Sequence, residues 1–234
     1  MKGQKVIFDT ETTGLNPEQD EILQFSAINE NGEVLLNTYM KPTNHTEWKD
    51  AETIHHISPE MVSHCKTMEE LLPDIQVIFD NCSEAIAYNF DFDFSFLFNA
   101  GIKFRPGTII SDPMIEFAEI YGEWNDYYGN YKWQKLTIAA YYYGYNFDDS
   151  AHDSLEDAKA TLVVYNAIKN ALPPYMWLST QLLNKKNEVV FESADIVEVC
   201  DKANDLFGNF EINMINRYTK NGFSFEYFLG LNKN

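Results

Sequence analysis

Apolar positions come in short clusters along the first 170 residues, with spacing that alternates between strand and helix periods. Val6, Ile7 and Phe8 form a run that fits a buried strand. Ile22, Phe25, Ala27 and Ile28 place a second strand over 21–29. Asn31-Gly32 is a hairpin signal, and Val34 to Met40 form the return strand. An antiparallel three-stranded meander is expected, ended by Pro42 and followed by a polar loop. Ser58-Pro59-Glu60 opens a short helix, with proline at its first position. Thr67 with Glu70 has the pattern of a capping box. Leu71, Leu72, Ile75, Ile78 and Phe79 then recur at helical spacing, with Pro73 expected to kink the first turns.

Glu84 to Tyr88 reads as another buried strand. The next stretch, Asn89 to Gly101, supports two readings. Phe90, Phe92, Phe94, Phe96 and Phe98 alternate as in a strand, yet Phe90, Phe94, Leu97 and Phe98 also share a helical face. In the helical reading Asn89 or Asp91 would be the cap and Gly101 the stop. Thr108 to Ser111 is a short strand, and Pro113 opens a helix to about Tyr121. Residues 122–134 form a Trp/Tyr/Gly-rich loop, Leu136 to Tyr143 a helix ended by Gly144. A further helix starts at Asp153 and runs to about Asn170, with Leu155, Ala158, Leu162 and Tyr165 on one face. Pro173-Pro174 breaks the pattern. Beyond it are expected a strand (181–184), a turn at Lys185-Lys186-Asn187, a strand (188–192), a helix (194–207) and two strands around Asn221-Gly222. The order of elements implies an α/β fold, a mixed sheet flanked by helices over 1–172, with a small α+β extension over 173–234 of unassigned role.

With 234 residues, 45% of them hydrophobic and 15% aromatic, the chain can bury an ordinary core. No apolar run is long enough to span a bilayer and the first residues lack a signal-peptide pattern, so no membrane partner and a cytoplasmic location are expected. Cys65, Cys82 and Cys200 have no metal-ligand spacing and read as reduced thiols. The net charge of −19 opposes a large phosphate-binding surface. If the partner is a nucleic acid, the contact must be local and metal-mediated, with weak, salt-sensitive and cation-dependent binding.

Chemistry enters where the first strand ends. Asp9 and Glu11 are two apart, so both project from one face of that strand. Like charges held that close repel unless a cation sits between them, and carboxylate oxygens are the ligands that Mg²⁺ or Mn²⁺ prefers. Taken alone, this pair reads as an acidic turn after a core strand. Asp93, Asp157 and His152 widen the pattern. His152 precedes Asp157 by five residues, off the same helical face, and is therefore expected in the loop before the helix, as a base that can move. Taken singly, Asp157 reads as a helix-dipole acid, Asp93 as a capping or surface acid and His152 as a surface histidine. His55, His56 and His64 match no standard zinc spacing.

Phe8-Asp9-Thr10-Glu11-Thr12-Thr13-Gly14-Leu15 closely resembles the first motif of the DEDDh-type 3′–5′ exonucleases of the DnaQ-like family. Ile54-His55-His56-Ile57 resembles that family's I-H-G-I turn, with His56 in place of glycine. Asn89-Phe90-Asp91-Phe92-Asp93 with Phe96-Leu97 resembles the second motif, with Tyr88 in place of the usual histidine and Asp91 at a variable position. His152 to Ala158 matches H-x-x-x-x-D-A. The resemblance covers about residues 4–170. It implies a ribonuclease H-like fold and hydrolysis of DNA or RNA from 3′ ends. It also implies two divalent ions, Mg²⁺ or Mn²⁺, held by Asp9, Glu11, Asp93 and Asp157, with His152 as general base. Thr12, Gly14 and Leu15 would meet the terminal nucleotide, Leu15 as a wedge, with His55 and Asn89 as neighbours. A proofreading role would need a polymerase or other protein partner. A catalytically idle module of the same fold, binding nucleic acid or a protein, is the competing reading. The rings of Trp124, Tyr127, Tyr128, Tyr131 and Trp133 read first as loop packing and alternatively as a base-stacking surface. Lys185, Lys186, Arg217 and Lys220 read as solvated turn residues.

Overall fold

The computed structural model describes residues 3–147 and 152–170, and the strand backbones at 176–183, 189–193, 219–220 and 223–230. The chain divides into two compact units, Met1–Leu172 and Pro173–Asn234.

The first unit is built on a five-stranded sheet. Strands β1 (Gln4–Thr12), β2 (Ile22–Asn29) and β3 (Val34–Tyr39) form the expected antiparallel meander. Strand β4 (Cys82–Ile86) lies parallel to β1, and β5 (Ile109–Ser111) parallel to β4, giving the order β3-β2-β1-β4-β5. Helices cover both faces, because the strands alternate apolar residues on each side. Val6 and Phe8 of β1 pack with Phe25 against Ile75 and Phe79 of α3 (Met68–Asp80) and Phe90, Phe96 and Leu97 of α4 (Phe90–Asn99). Ile7, between them, faces the other way with Ile28 and Ile86, onto Ala158 and Tyr165 of α7 (Ser154–Lys169). Phe8 is wholly buried and meets Phe79 and Phe90 edge to face at 5.3 and 5.7 Å. Burial of such a ring stabilises by about 1.5–3 kcal/mol.

The structure resolves the phenylalanine-rich stretch as helix. In α4 the rings meet four apart: Phe90–Phe94 at 5.5 Å, Phe92–Phe96 at 5.1 Å and Phe94–Phe98 at 5.7 Å. Neither Asn89 nor Asp91 caps it with a side chain. Asn89 holds the N-cap position without a side-chain bond, and the Asp112 carboxylate accepts from the amides of Asn89 (3.1 Å) and Phe90 (2.9 Å) instead. Asp112 also caps the following helix, α5 (Pro113–Tyr121), by accepting from the Met114 amide. One helix was not expected: α1 (Lys49–His55), in the stretch read as polar loop. Its only buried residue is His55, so it shows no apolar period. It docks through its N-cap Trp48, which lies in a small cluster with Leu23, Ile57 and Val62 and donates its indole N–H to the Ile57 carbonyl at 2.7 Å. A short helix α2 (Pro59–Val62) follows, as expected.

Helix α1 ends on His56, whose backbone is left-handed (φ 60°) and whose amide bonds Glu52 O. Glycine takes that conformation without a Cβ clash. His56→Gly is expected to stabilise the fold by about 1 kcal/mol, raising Tm by about 2–4 °C in a calorimetric scan; a lower Tm would contradict it.

Residues 122–134 contain a minimal hairpin, β6 (Trp124–Asn125) with β7 (Asn130–Tyr131), and lead into α6 (Leu136–Tyr142). In the second unit β8 (Met176–Leu183), β9 (Val189–Ser193), β10 (Thr219–Lys220) and β11 (Phe223–Gly230) form an antiparallel sheet in the order β10-β11-β8-β9. β8 begins earlier than the expected strand at 181. The expected helix over 194–207, the turns at 185–187 and 221–222, and Cys200, Lys185, Lys186 and Arg217 lie outside the described residues. Among the described residues no helix is long and apolar enough to cross a membrane.

Candidate active site

Alternation along β1 places the first two acids. Ile7, Asp9 and Glu11 share one face, so the face that meets α7 changes from apolar to acidic as the strand leaves the core. Across the ladder, Asp9 is opposite Ser26 and Glu11 opposite Gln24. Those two polar residues of β2 dock the start of α7. The Ser26 and Ser154 hydroxyls are 2.7 Å apart, and the Gln24 amide donates to Asp153 Oδ2 at 3.1 Å. Asp153 in turn caps α7, accepting from the amides of Leu155 and Glu156. Asp157, one turn into α7, therefore stands over Asp9 and Glu11. His152 precedes the cap in the left-handed region (φ 70°), exposed. Ligand atoms of Glu11, His152 and Asp157 lie within 4.8 Å of one another.

The fourth acid arrives from the opposite side. β4 pairs with β1 only as far as Ile7↔Ile86, so β1 outruns its parallel neighbour. Asp93, in the first turn of α4, takes up the bonding group left over. Its Oδ1 accepts from the Thr10 amide at 2.9 Å and from the Thr10 hydroxyl at 2.6 Å. Asp93 is 3% exposed. Asp91 faces solvent.

Four carboxylates so placed hold their protons tightly. Burial, then the charges of Asp93, Asp157 and Glu11, push Asp9 well above the usual carboxylate range. Burial and the charges of Asp157 and Asp93 raise Glu11 to about 9. Burial raises Asp93 to about 7 against the opposing Thr10 hydrogen bonds, and Asp157 to about 7 against one from the His152 main chain. None of the described ion pairs includes any of the four. Asp157 Oδ1 is buried and has no hydrogen-bond partner. A buried, unpartnered carboxylate oxygen among like charges is costly unless a cation completes it, so the donor set fits hard divalent ions. His152 is pulled the other way: burial, Lys135 and His56 all lower its pKa and favour the neutral ring.

Beside the acids, Thr12, Gly14, Leu15 and His55 line one cleft of about 620 Å³, together with Ile54 and Phe92. Leu15 is 84% exposed, an apolar side chain held over the cleft. A Cβ on Gly14 would strike the Asp20 carboxylate, which is fixed by the Asn16 amide (2.9 Å) and the Thr13 hydroxyl (3.3 Å). Glycine is therefore favoured by close approach and not by φ, since any side chain would displace the Asp20 carboxylate from these bonds. His55 is buried: its Nδ1 accepts from the Ile57 amide (3.0 Å), which leaves Nε2–H to donate to Thr12 O (3.2 Å). Burial, the largest influence, lowers its pKa and keeps it neutral, so it braces the end of β1. Asn89 does not line the cleft and lies exposed at the start of α4. Thr10, Gln24 and Ser26 were missed as positioning residues, whereas Asp153 was expected at the start of α7 and caps it. Gln24 and Ser26 carried a signal, as two polar residues two apart in the middle of a mostly apolar strand.

The exonuclease family profile that bears the name of ribonuclease T matches residues 6–165. The Escherichia phage 186 protein named "Uncharacterized exonuclease CP81" is 30% identical over 177 residues, covering 72% of this chain and 89% of its own. RNA exonuclease 4 of Aspergillus fumigatus is 27% identical, over 72% of this chain and 52% of its own. A solved E. coli exonuclease I–single-stranded DNA complex superposes with a TM-score of 0.60 at 19% identity, over 72% of this chain and 41% of that one. Exonuclease X in complex with 5′-overhanging duplex DNA gives 0.51 at 21% identity, over 71% and 91%. The chain thus spans most of the phage protein, about half of the fungal one and less than half of that exonuclease I chain. On the match over 6–165, and with a fold shared with these nucleases, the chain belongs to the exonuclease family whose profile bears the name of ribonuclease T.

Proposed function

We propose that the chain is a divalent-metal-dependent 3′–5′ exonuclease that hydrolyses nucleotides from the ends of DNA or RNA single strands. The observation that carries this reading is the convergence of Asp9, Glu11, Asp93, Asp157 and His152 from three separate elements and one loop. Asp9, Glu11, Asp93 and Asp157 would hold two ions, Mg²⁺ or Mn²⁺. When bound, these supply charge against the pentavalent phosphate and lower the pKa of the attacking water. His152 accepts that water's proton. Its ring is held neutral and stands on a loop beside Glu11 and Asp157, free of any helix. The terminal nucleotide enters the cleft next to the acids. Thr12 and the Gly14 backbone form its wall, and Leu15 wedges against the base. Neighbours solved with single-stranded and overhanging DNA, and a relative named for RNA, support a nucleic-acid end as substrate. A proofreading role would require a polymerase or other protein partner.

Two measurements test the reading. 5′-labelled DNA and RNA strands incubated with Mg²⁺ or Mn²⁺ are expected to shorten stepwise from the unlabelled end. Immediate release of labelled mononucleotide would reverse the polarity, and no shortening with either ion would leave an idle binding module. His152→Ala is expected to slow hydrolysis by about 10²–10⁴-fold with little change in Mn²⁺ affinity by calorimetry. An equal loss of metal affinity would make His152 a ligand instead of the base.

A further inference from the structure

The β6–β7 hairpin presents a surface that the mechanism does not use. Its tip is turned by Gly129 (φ 66°) and by Asn125, whose side-chain oxygen accepts from the Tyr127 amide at 3.0 Å. Four rings stand in water: Tyr127 is 87% exposed, Tyr128 72%, Trp133 62% and Trp124 51%. Their described ring contacts stay within the hairpin, Trp124 with Tyr131 at 5.2 Å and Tyr127 with Tyr128 at 4.7 Å. Loop packing therefore does not account for them. A cluster of large rings left solvated on so short a segment marks a contact surface.

The base of the hairpin is fastened at the rim of the candidate active site. Tyr88, directly before the N-cap of α4, donates its hydroxyl to the Gln134 carbonyl at 2.8 Å, and both residues are buried. The next residue, Lys135, lies close enough for its charge to act on His152. The rings thus rise from the element that borders the general base on one side and the Asp93 helix on the other.

We propose that the exposed rings of the 124–133 hairpin form a stacking platform for the unpaired bases of a single-stranded nucleic acid, upstream of the 3′-terminal nucleotide. This rests on the exonuclease reading of the adjoining site. The occupant follows from charge and shape. A chain of net charge −19 gains little by phosphate neutralisation. The hairpin's own Lys132 is already paired with Glu123 at 2.6 Å. Aromatic faces hold bases without cations and without regard to sequence. Bases inside a duplex have both faces covered, so the platform selects unpaired strands.

The test uses the full chain carrying Tyr127→Ala, Tyr128→Ala and Trp133→Ala together, against the same three positions changed to Phe. With a single strand of about 15 nucleotides, the Ala variant is expected to raise KM about 10- to 100-fold, whereas the Phe variant stays near wild type. The 4-nitrophenyl ester of thymidine 5′-monophosphate, too small to reach the hairpin, separates this effect from damage to the site. The ratio of kcat/KM on the strand to that on the ester falls in the Ala variant alone. The slope of log KM against log salt stays as in wild type, because the lost contacts are not ionic. A strand-to-ester ratio equal to wild type in the Ala variant overturns the platform. So does an equal fall in the Phe variant, or altered sedimentation with an unchanged strand KM, which would make the rings a self-association face. If wild type hydrolyses neither substrate, the exonuclease reading fails separately. Anisotropy of a fluorescein-labelled strand in EDTA then decides the platform: binding lost only in the Ala variant supports it, and no binding by wild type overturns it.

Discussion

Asp9→Ala is expected to lower 3′-end hydrolysis by about 10³-fold or more, while Asp91→Ala changes it less than about twofold. The contrast tests the register of the whole site. Asp9 sits centrally, close enough to Asp93, Asp157 and Glu11 that each of their charges raises its pKa. In the proposed reading, removing it takes away one of the four metal-holding carboxylates, and the other acid on that face of β1, Glu11, already stands beside His152 and Asp157. Asp91 points to solvent on the outer side of α4, and only its backbone carbonyl is used, accepting from the Ser95 hydroxyl. Single-turnover hydrolysis of a labelled strand at saturating Mn²⁺ measures both variants. A dead Asp91→Ala with an active Asp93→Ala would shift the second motif by two residues and remove Asp93 from the site. Asp93→Ala has its own complication, because it also strips Thr10 of its acceptor. Folded content must be checked before its rate is compared.

Divalent cations are expected to raise Tm by about 5–10 °C at pH 8, from a binding increment near 2.7 kcal/mol at a hundredfold excess over Kd, and by clearly less at pH 5.5. The sign follows from the direction of the shifts. An acid whose folded pKa lies above its unfolded value binds more protons folded than unfolded between the two values. Stability then falls as pH rises through that window. For Glu11 the window runs from 4.5 to about 9, and for Asp93 and Asp157 from 3.8 to about 7. The cation-free protein should therefore lose stability from mildly acidic to alkaline pH, and Mn²⁺ should restore it most where protons have left. His55 works in the opposite direction. Its folded pKa is lowered, so its contribution is lost as pH falls below the unfolded value of 6.5. The EDTA profile should thus peak in the acidic range and not continue upward to pH 4. Glu11→Gln should raise Tm in EDTA at pH 8 and shrink the Mn²⁺ increment. Thermal scans with an unchanged Tm on adding Mn²⁺ at both pH values would show that the acids do not share an ion.

The meander, the β4–β5 strands and helices α3, α5, α6 and α7 were legible because their apolar period or their caps are local properties. Asp9 and Glu11 were legible as a pair for the same reason, since alternation on one strand is enough. Two kinds of feature were not. The phenylalanines of 90–98 satisfy both periods at once, and the choice was made at a distance by Asp112, whose carboxylate receives the amides that open α4. Helix α1 buries almost nothing of its own and is held through Trp48 by Leu23, Ile57 and Val62, contacts without a sequence period. The site shows the same division. Its acids were visible as motifs, while the residues that aim them lie far away in sequence, as with Gln24 and Ser26 beneath the start of α7. His55 matched a motif, yet its ring is occupied in supporting Thr12.

The early end of β4 has a consequence for how this scaffold tolerates change. Asp93 fills the seat that a parallel ladder carried three residues further would take against Thr10. Lengthening β4 by that much would zip the two strands further and evict the carboxylate from its berth, leaving the sheet more regular and the acid stranded. Insertions at the 87–89 junction should for that reason be among the poorest tolerated in the chain, even though Asn89 itself faces water.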